Sequence, residues 1–590
     1  MGSSREMRTF GKPFIDGLYP GSSRRRVYPY PERMFHDHDI FPLFIVDGGA
    51  FLFANRAFGG GTGRDLLRAL DAGSLFAPWE VDGKLRWNRS FEDAARSPCA
   101  YETQKQEWLN SLFFLLPIAQ EYFRTGDERR ARSWYSHFRR WQRAQPYVPG
   151  QDGKPWWASD RCWMDMQITW RLLVFVHSVF LLRRSASLGP RHWHSIYESI
   201  RFHAQLLVGE ARAQLARKTP EGNHFLQKGN ALIYAGLLFP EFPDSTGFVT
   251  TGRATIRKHL REEINADGGS VEASPSYSHF IARLYLEVFL LLKHNRMPGI
   301  PGLETSIRRQ YGFLARTASP AGATLALSDS YELNVTDDLR IVEQLLPLRR
   351  TRATSLSVFP QSCFAVMRGR NMTAYLDGMP VGTWHHHDGK PNLLLYVGAQ
   401  PLLVDSGCFE YDHQELRRWA KSARAHNVVI VDGGVQLAGR GERRVSPVVT
   451  LERCERARGR QRVVMRHRSE SPGLSYWWSR TVEMSETTLE LVDRIKASRP
   501  VSAEQLFYLA ALHVTRPRHG REVVVPVGGK VVHVQQQRRH AGGAFVVEFF
   551  PVMGPGNQVT ESPRLSSRAE GRDLVFHVKF SLQEIPRSSR

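Results

Sequence analysis

The chain has 590 residues, with hydrophobic residues at 42% and charged residues at 23%. That length exceeds one ordinary domain, and that balance excludes a disordered chain. The formal net charge of +22, spread along the chain and without a nucleic-acid motif, favours a polyanionic partner but not a dedicated basic tail.

The N-terminal stretch MGSSREMRTFGKPF contains no apolar core of signal-peptide length, so the default expectation is a cytoplasmic protein, with export left open. Residues 1–99 read as an N-terminal extension and the start of a helical domain. From 100 to 350 the apolar residues recur at spacings of three and four. Trp108, Leu112, Leu115, Leu116 and Ala119 open the series, Thr125-Gly126-Asp127-Glu128 breaks it, and Trp134, Phe138 and Trp141 resume it. Further helix-sized stretches are predicted at 163–184, 193–216, 229–238, 253–264 and 278–294. Helices with short connections and no strands between them imply a paired array or toroid. The longest apolar stretch, Leu172 to Leu182, contains His177 and is too short to span a bilayer.

Between 345 and 360 the period changes from 3.6 to 2. Strands are expected within 363–377, 393–405, 428–432, 463–466, 488–493, 523–534, 544–550 and 574–580, with no helices between them. Such a run over 360–590 implies an antiparallel β-sandwich. The fold class is therefore α+β and multidomain, helical first and strand-rich second. Cys99, Cys162, Cys363, Cys408 and Cys454 are scattered and lack CxxC spacing, which argues against a disulfide framework and a cysteine zinc site.

Three clusters carry possible chemistry. Gly222-Asn223-His224 precedes a helix expected near Gly229, where an asparagine is most often a cap. Asp267 to His279 includes Tyr277 at a helix start. The third combines Trp384-His385-His386-His387-Asp388, Val404-Asp405-Ser406-Gly407 and Ala425-His426-Asn427. On a strand, His385 and His387 would project from one face. Two histidines and an aspartate at strand ends can converge on zinc, which accepts that donor set and leaves a fourth position open. A solvated histidine run is the competing reading.

Taken together, the long-spaced Trp-Leu…Ala…Thr-Gly-Asp-Glu block at 108–128, Asn223-His224 with Gly229–Pro243 after it, Glu-x-Ser-Pro-x-Tyr at 272–277, His-x-His at 385–387, Leu-Leu-Val-Asp-Ser-Gly at 402–407, Tyr411, the arginines at 417–418 and Ala-His-Asn at 425–427 resemble the heparinase II/III family and its related alginate lyases. The resemblance covers most of 100–435. It implies an N-terminal (α/α) toroid and a C-terminal antiparallel β-sandwich, and a polysaccharide lyase that cleaves a uronic-acid-containing chain by β-elimination. Asn223 and His224 would neutralise the uronate carboxylate, Tyr277 would be the acid or base, and His385 would face the substrate. Tyr411 is the nearest match to a second catalytic tyrosine. His387, Asp405 and His426 would hold a structural zinc, with no organic cofactor. The partner would be an acidic polysaccharide, with neither nucleic acid nor membrane involved; the oligomeric state is not legible.

The chain departs from the family's pattern at two positions, both bearing on substrate class and activity. Gly389 stands where an Asp is frequent, with Asp388 one earlier, and Ser278 stands where a His is frequent, with His279 one later. Two other functions are compatible with this sequence. A glycoside hydrolase would need paired carboxylates, for which Glu262, Glu263, Asp267 and Glu272 are the nearest candidates. A polyanion-binding protein would need none.

Overall fold

The computed structural model describes residues 63–81, 84–87, 109–148, 161–163, 165–218, 221–348, 354–380, 385–409, 414–433, 449–471, 473–510, 514–515, 520–554 and 558–584. Most of the 1–99 segment, Cys99, Trp108, Trp384 and Tyr411 lie outside these. The chain divides into two compact units. One is Met1–Glu263 with Phe280–Ile307; the other is Ile264–His279 with Arg308–Arg590.

The first unit is helical. Leu115–Thr125 ends on Gly126, whose left-handed backbone (φ 70°) lets its N–H reach the Tyr122 carbonyl. Asp127 then caps Glu128–Ala144 by accepting from the Arg129 N–H at 2.9 Å, and Ala131, Trp134, Phe138 and Trp141 form that helix's buried stripe. The helix does not extend back through Leu112, which lies in a turn with φ 59°. Asp165–Leu182 has its described side chains buried nearly all round, as its almost unbroken apolar sequence requires.

The helix expected from Gly229 begins seven residues earlier and spans Gly222–Leu238. Gly229 is a contact point, not a boundary. A Cβ there would lie 2.8 Å from the Thr255 side chain, and one on Gly252 would lie 2.7 Å from the Gly229 carbonyl. The pair Gly222–Leu238 and Ser245–Glu263 thus packs at glycine distance. Among the described residues no helix is long and apolar enough to cross a membrane.

The second unit is strand-rich. Leu356–Phe359, Phe364–Arg368, Met372–Asp377, Asn392–Val397 and Gln400–Leu403 form a five-stranded antiparallel meander. A nine-stranded antiparallel sheet runs in the order Glu522–Val527, Lys530–Gln536, Gln558–Glu584, Thr488–Tyr508, Leu474–Met484, Arg460–Ser471, Val449–Ala457. Val546–Gly554 also pairs with Gln558–Glu584, and Val429–Val431 with Thr488–Tyr508. Ala365, Met367, Ala374, Leu376, Leu393 and Leu395 of the meander share one core with Val463, Val482, Leu491, Phe507 and Phe580 of the larger sheet.

The meander is buried on both faces. Its alternate residues Val366, Tyr375, Leu394 and Tyr396 pack against Ala273, Phe313, Leu325 and Leu327. The Tyr375 hydroxyl donates to the Ala318 carbonyl at 2.7 Å. Element type therefore switches where the periodicity does, between the helix Val335–Leu345 and the strand Leu356–Phe359. The compact unit reaches further back, because 264–279 and 308–330 supply the apolar cover for this face. Among the described residues the α-helix Gln414–Lys421 and the short 3-10 turn Ala423–Ala425 interrupt the strand series, contrary to the expectation of no helix there.

Candidate active site

Tyr277 sits in the first turn of Pro275–His294, a helix that opens on proline, whose missing N–H costs nothing there. The Ser276 N–H donates to the Ser330 hydroxyl at 3.0 Å. Tyr277 is half-buried, and its ring stacks on His385, with centroids 3.6 Å apart and planes at 18°. His385 and His387 lie not on a strand but on the segment leading into Asn392–Val397. This segment is fixed otherwise than by a ladder. Lys390 forms a buried ion pair with Asp377, and the Asp329 N–H donates to the His385 carbonyl at 3.0 Å.

Both histidine rings turn to one carboxylate that sequence reasoning missed. His385 Nδ1 lies 3.1 Å from Asp329 Oδ2, and His387 Nε2 lies 2.9 Å from Oδ1. Arg417 Nη2 reaches Oδ2 at 2.6 Å and Lys421 Nζ at 3.6 Å, both from Gln414–Lys421. Burial alone would raise the Asp329 carboxyl, but these two cations and the imidazole hydrogen bonds hold it well below the usual carboxylate range. Glu272, also buried, stands 3.8 Å from His385 Nε2. Asp329 lies in Leu327-Ser328-Asp329-Ser330-Tyr331, which carries no motif; its only local sign is the polar triplet between apolar neighbours.

His387, Asp405 and His426 converge, each offering one ligand atom, all within 4.8 Å of one another and all buried. Nδ1 of His387 and Nε2 of His426 are buried without a hydrogen-bond partner. The opposite ring nitrogens bond to Asp329 Oδ1 and, at 2.7 Å, to Asp405 Oδ2. Two orphaned imidazole nitrogens beside a carboxylate suit a divalent metal and are costly without one. This burial is incompatible with a solvated histidine run. Asn427 locks the arrangement, its side-chain amide donating to the carbonyls of Leu393 (2.7 Å) and Val404 (2.8 Å).

The departure at Gly389 has a physical reason. Gly389 has φ 93°, and a Cβ there would lie 2.5 Å from the His426 ring, so an aspartate has no room. The neighbouring Asp388 is buried, and burial raises its carboxyl. His279 is buried and held by Asp338 at 2.6 Å.

Asn223 and His224 belong to the first unit. Asn223 does not cap a helix. It is buried within the helix's first turn, and its side-chain oxygen accepts from Gln227 at 2.9 Å, while His224 is exposed. Tyr411 falls outside the described residues. Tyr331, buried near Cys408 and Arg417, has its phenol pushed up by burial and is a poor base. Of the carboxylates considered for a hydrolase, Asp267 is occupied by Ser362 N–H and hydroxyl, Glu263 by the Gly222 N–H, and Glu262 by Lys258 and Arg261.

Comparison with known proteins bears on the fold and the family. Among solved structures, heparinase III aligns with a TM-score of 0.72 at 16% identity, covering 99% of this chain and 93% of that one. Heparan sulfate lyase HepC from Pedobacter heparinus aligns with a TM-score of 0.61, also at 16% identity, covering 95% and 94%. These likenesses establish the fold, a helical toroid followed by antiparallel sheets. By sequence, the heparin-sulfate lyase of Pedobacter heparinus is 23% identical over 349 residues, 53% of this chain and 50% of that protein. The heparin-sulfate lyase of Bacteroides stercoris is 22% identical over 394 residues, 60% and 55% of the two chains. The chain thus spans about half the length of the curated relatives it matches. Residues 70–351 match the heparinase II/III N-terminus and residues 351–570 the heparinase II/III-like C-terminal domain. With these two adjoining matches covering most of its length, the chain belongs to the heparinase II/III-like family.

Proposed function

We propose that the chain is a polysaccharide lyase that cleaves a uronic-acid-containing acidic polysaccharide by β-elimination. The observation that carries this reading is the stacking of Tyr277 on His385, whose ring is in turn gripped by Asp329. β-Elimination withdraws the proton on C5 of a uronate and expels the oxygen on C4. It requires one group to take the proton, one to return a proton to the leaving oxygen, and neutral or cationic donors to absorb charge on the carboxylate. A half-buried tyrosine against a fixed imidazole suits proton transfer. Asn223 and His224 are assigned the carboxylate. The sequence relatives are heparin-sulfate lyases, so heparan sulfate is the first substrate to assay. The +22 charge would concentrate such a chain near the protein.

His387, Asp405 and His426 would hold zinc, supported by the two orphaned ring nitrogens. Bound there, the metal would supply structural rigidity, fixing the strand ends beside His385. A hydrolase is less well supported, since three of the four carboxylates considered for it, Asp267, Glu263 and Glu262, are taken up by other donors.

Incubation with heparan sulfate and other polyuronates should generate the ultraviolet absorbance of a conjugated uronate. Tyr277→Phe should retain the fold and lose about 10²–10⁴ in kcat/KM. Elemental analysis should find zinc near one per chain. Reducing ends without the chromophore would establish a hydrolase, and neither product would leave only polyanion binding.

A further inference from the structure

Asp329 is more than a counter-ion. Its side chain meets His385 with one oxygen and His387 with the other. Its backbone N–H donates to the His385 carbonyl at 3.0 Å. Its own carbonyl accepts from the Ser274 hydroxyl at 2.8 Å and the Ser276 hydroxyl at 3.3 Å, at the helix start that carries Tyr277. One fully buried residue therefore contacts the Tyr277 turn, the backbone and ring of His385, and the ring of His387. The preceding Ser328 has φ 58°, a left-handed conformation that L side chains adopt rarely and that persists where surroundings enforce it. If Asp329 served only to neutralise Arg417 and Lys421, its second oxygen would have no need of His387. Arg417 and Lys421 both approach Oδ2, while His387 meets Oδ1.

We propose that Asp329 is the positioning residue shared by the two halves of this site. Through Oδ2 it holds the His385 ring flat against Tyr277. Through Oδ1 it fixes the His387 ring so that Nδ1 faces away from it, free for a metal. A carboxylate behind a metal-binding histidine is a known means of setting ring orientation and ligand strength. Here the same carboxylate also orients an imidazole assigned to the chemistry. The proposal rests on the lyase reading above.

The test compares wild type, Asp329→Asn and Asp329→Glu, using heparan sulfate as substrate and a chromogenic chelator competing for zinc. Asp329→Asn keeps the size and loses one of the two acceptors. Asp329→Glu keeps the charge and displaces both oxygens by a methylene. Both variants should lose kcat by roughly 100-fold or more with KM changed less than about threefold, as when an imidazole loses its orienting carboxylate. Both should bind zinc 10–100-fold more weakly, and saturating zinc should refill the site without restoring kcat. The proposal is overturned if Asp329→Glu retains wild-type kcat, which a mere counter-charge would allow, or if zinc saturation restores kcat, or if zinc affinity is unchanged. If Asp329→Asn does not fold, the Glu variant alone decides. If wild type yields no unsaturated product from any polyuronate, the lyase reading fails, while the zinc arm still reports on Asp329.

Discussion

Two buried aspartates in the strand-rich unit show how differently one fold can use the same charge. Asp493 lies on Thr488–Tyr508, directly across from Arg480 on Leu474–Met484. Arg480 grips it with two nitrogens, Nε to Oδ1 and Nη2 to Oδ2, each at 2.8 Å. Trp478 and Gln505 donate to the same oxygens at 2.8 Å. The remaining arginine nitrogen, Nη1, caps the carbonyls of Pro391 at 2.9 Å and Asn427 at 2.5 Å. This is one acid and one base, fully buried on regular strands. Asp329, equally buried, sits behind a left-handed residue on irregular backbone, facing two cations and two imidazoles. Its cations keep partial contact with solvent, with side-chain exposures of 16% for Arg417 and 33% for Lys421. A saturated one-to-one pair is a fastener. An acid that meets two cations and two imidazoles from irregular backbone is suited instead to orienting the groups assigned to chemistry.

The largest expected effect on stability separates the two. Arg480→Met would leave the Asp493 carboxylate in an apolar interior with only neutral donors. It would also strip a donor from the carbonyls of Pro391 and Asn427, which flank the segments proposed to hold a metal. Breaking a buried pair from one side costs about 3–5 kcal/mol. Denaturant unfolding should show this loss for Arg480→Met, and Arg480→Met with Asp493→Leu should recover a large part of it. Asp329→Asn should fall well short of that cost, because Arg417 and Lys421 can turn outward. Equal destabilisation by the two single variants would remove the distinction.

Next in size is Gly389→Ala, which tests the metal side of the comparison. The backbone there is at φ 93°, and the new methyl would lie 2.5 Å from the His426 ring. Strained backbone alone costs on the order of 1–3 kcal/mol, and the ring has to shift. Zinc affinity should drop roughly tenfold or more, since about 1.4 kcal/mol is a factor of ten. Wild-type zinc affinity in Gly389→Ala would show that His426 is not a ligand.

The sequence signals that proved readable were local or carried by spacing. Trp134, Phe138 and Trp141 announce a helix stripe, and Gly126-Asp127 announces its cap, because both effects act within one turn. His387, Asp405 and His426 were named as a set through a resemblance, since tertiary packing, not any short motif, brings them together. Asp329 was invisible. Its meaning comes from partners 56 and 58 residues downstream and from a helix in a region read as strands alone. Gly229 was misread for a related reason. A helix breaker and a helix contact look alike until the neighbouring helix is known. The two long strands Thr488–Tyr508 and Gln558–Glu584 were legible only in part, because their remaining portions carry arginines, glutamates and serines, among them the buried Glu504, Ser562, Arg564, Ser566 and Ser567, that hide the apolar alternation.

The smallest effect concerns a third carboxylate, Glu128 in the helical unit, whose donors are all neutral. Oε1 accepts from the Ala186 N–H at 2.9 Å, and Oε2 accepts from the hydroxyls of Ser185 and Ser187, each at 2.6 Å. Burial would raise its carboxyl, but these hydrogen bonds outweigh it and bring it from the usual 4.5 down to about 2. A carboxyl depressed in the folded state binds its proton later than in the unfolded chain. Its contribution is therefore fully present above pH 4.5 and is lost as pH falls toward 2. Partial solvent contact keeps that contribution modest, about 1 kcal/mol. Glu128→Gln preserves the shape but only one acceptor. Wild type should exceed it by about that amount at pH 7, and the two unfolding curves should converge through the acid range. A difference that stays constant from pH 7 to 2 would show that the ionised form of Glu128 carries no special weight.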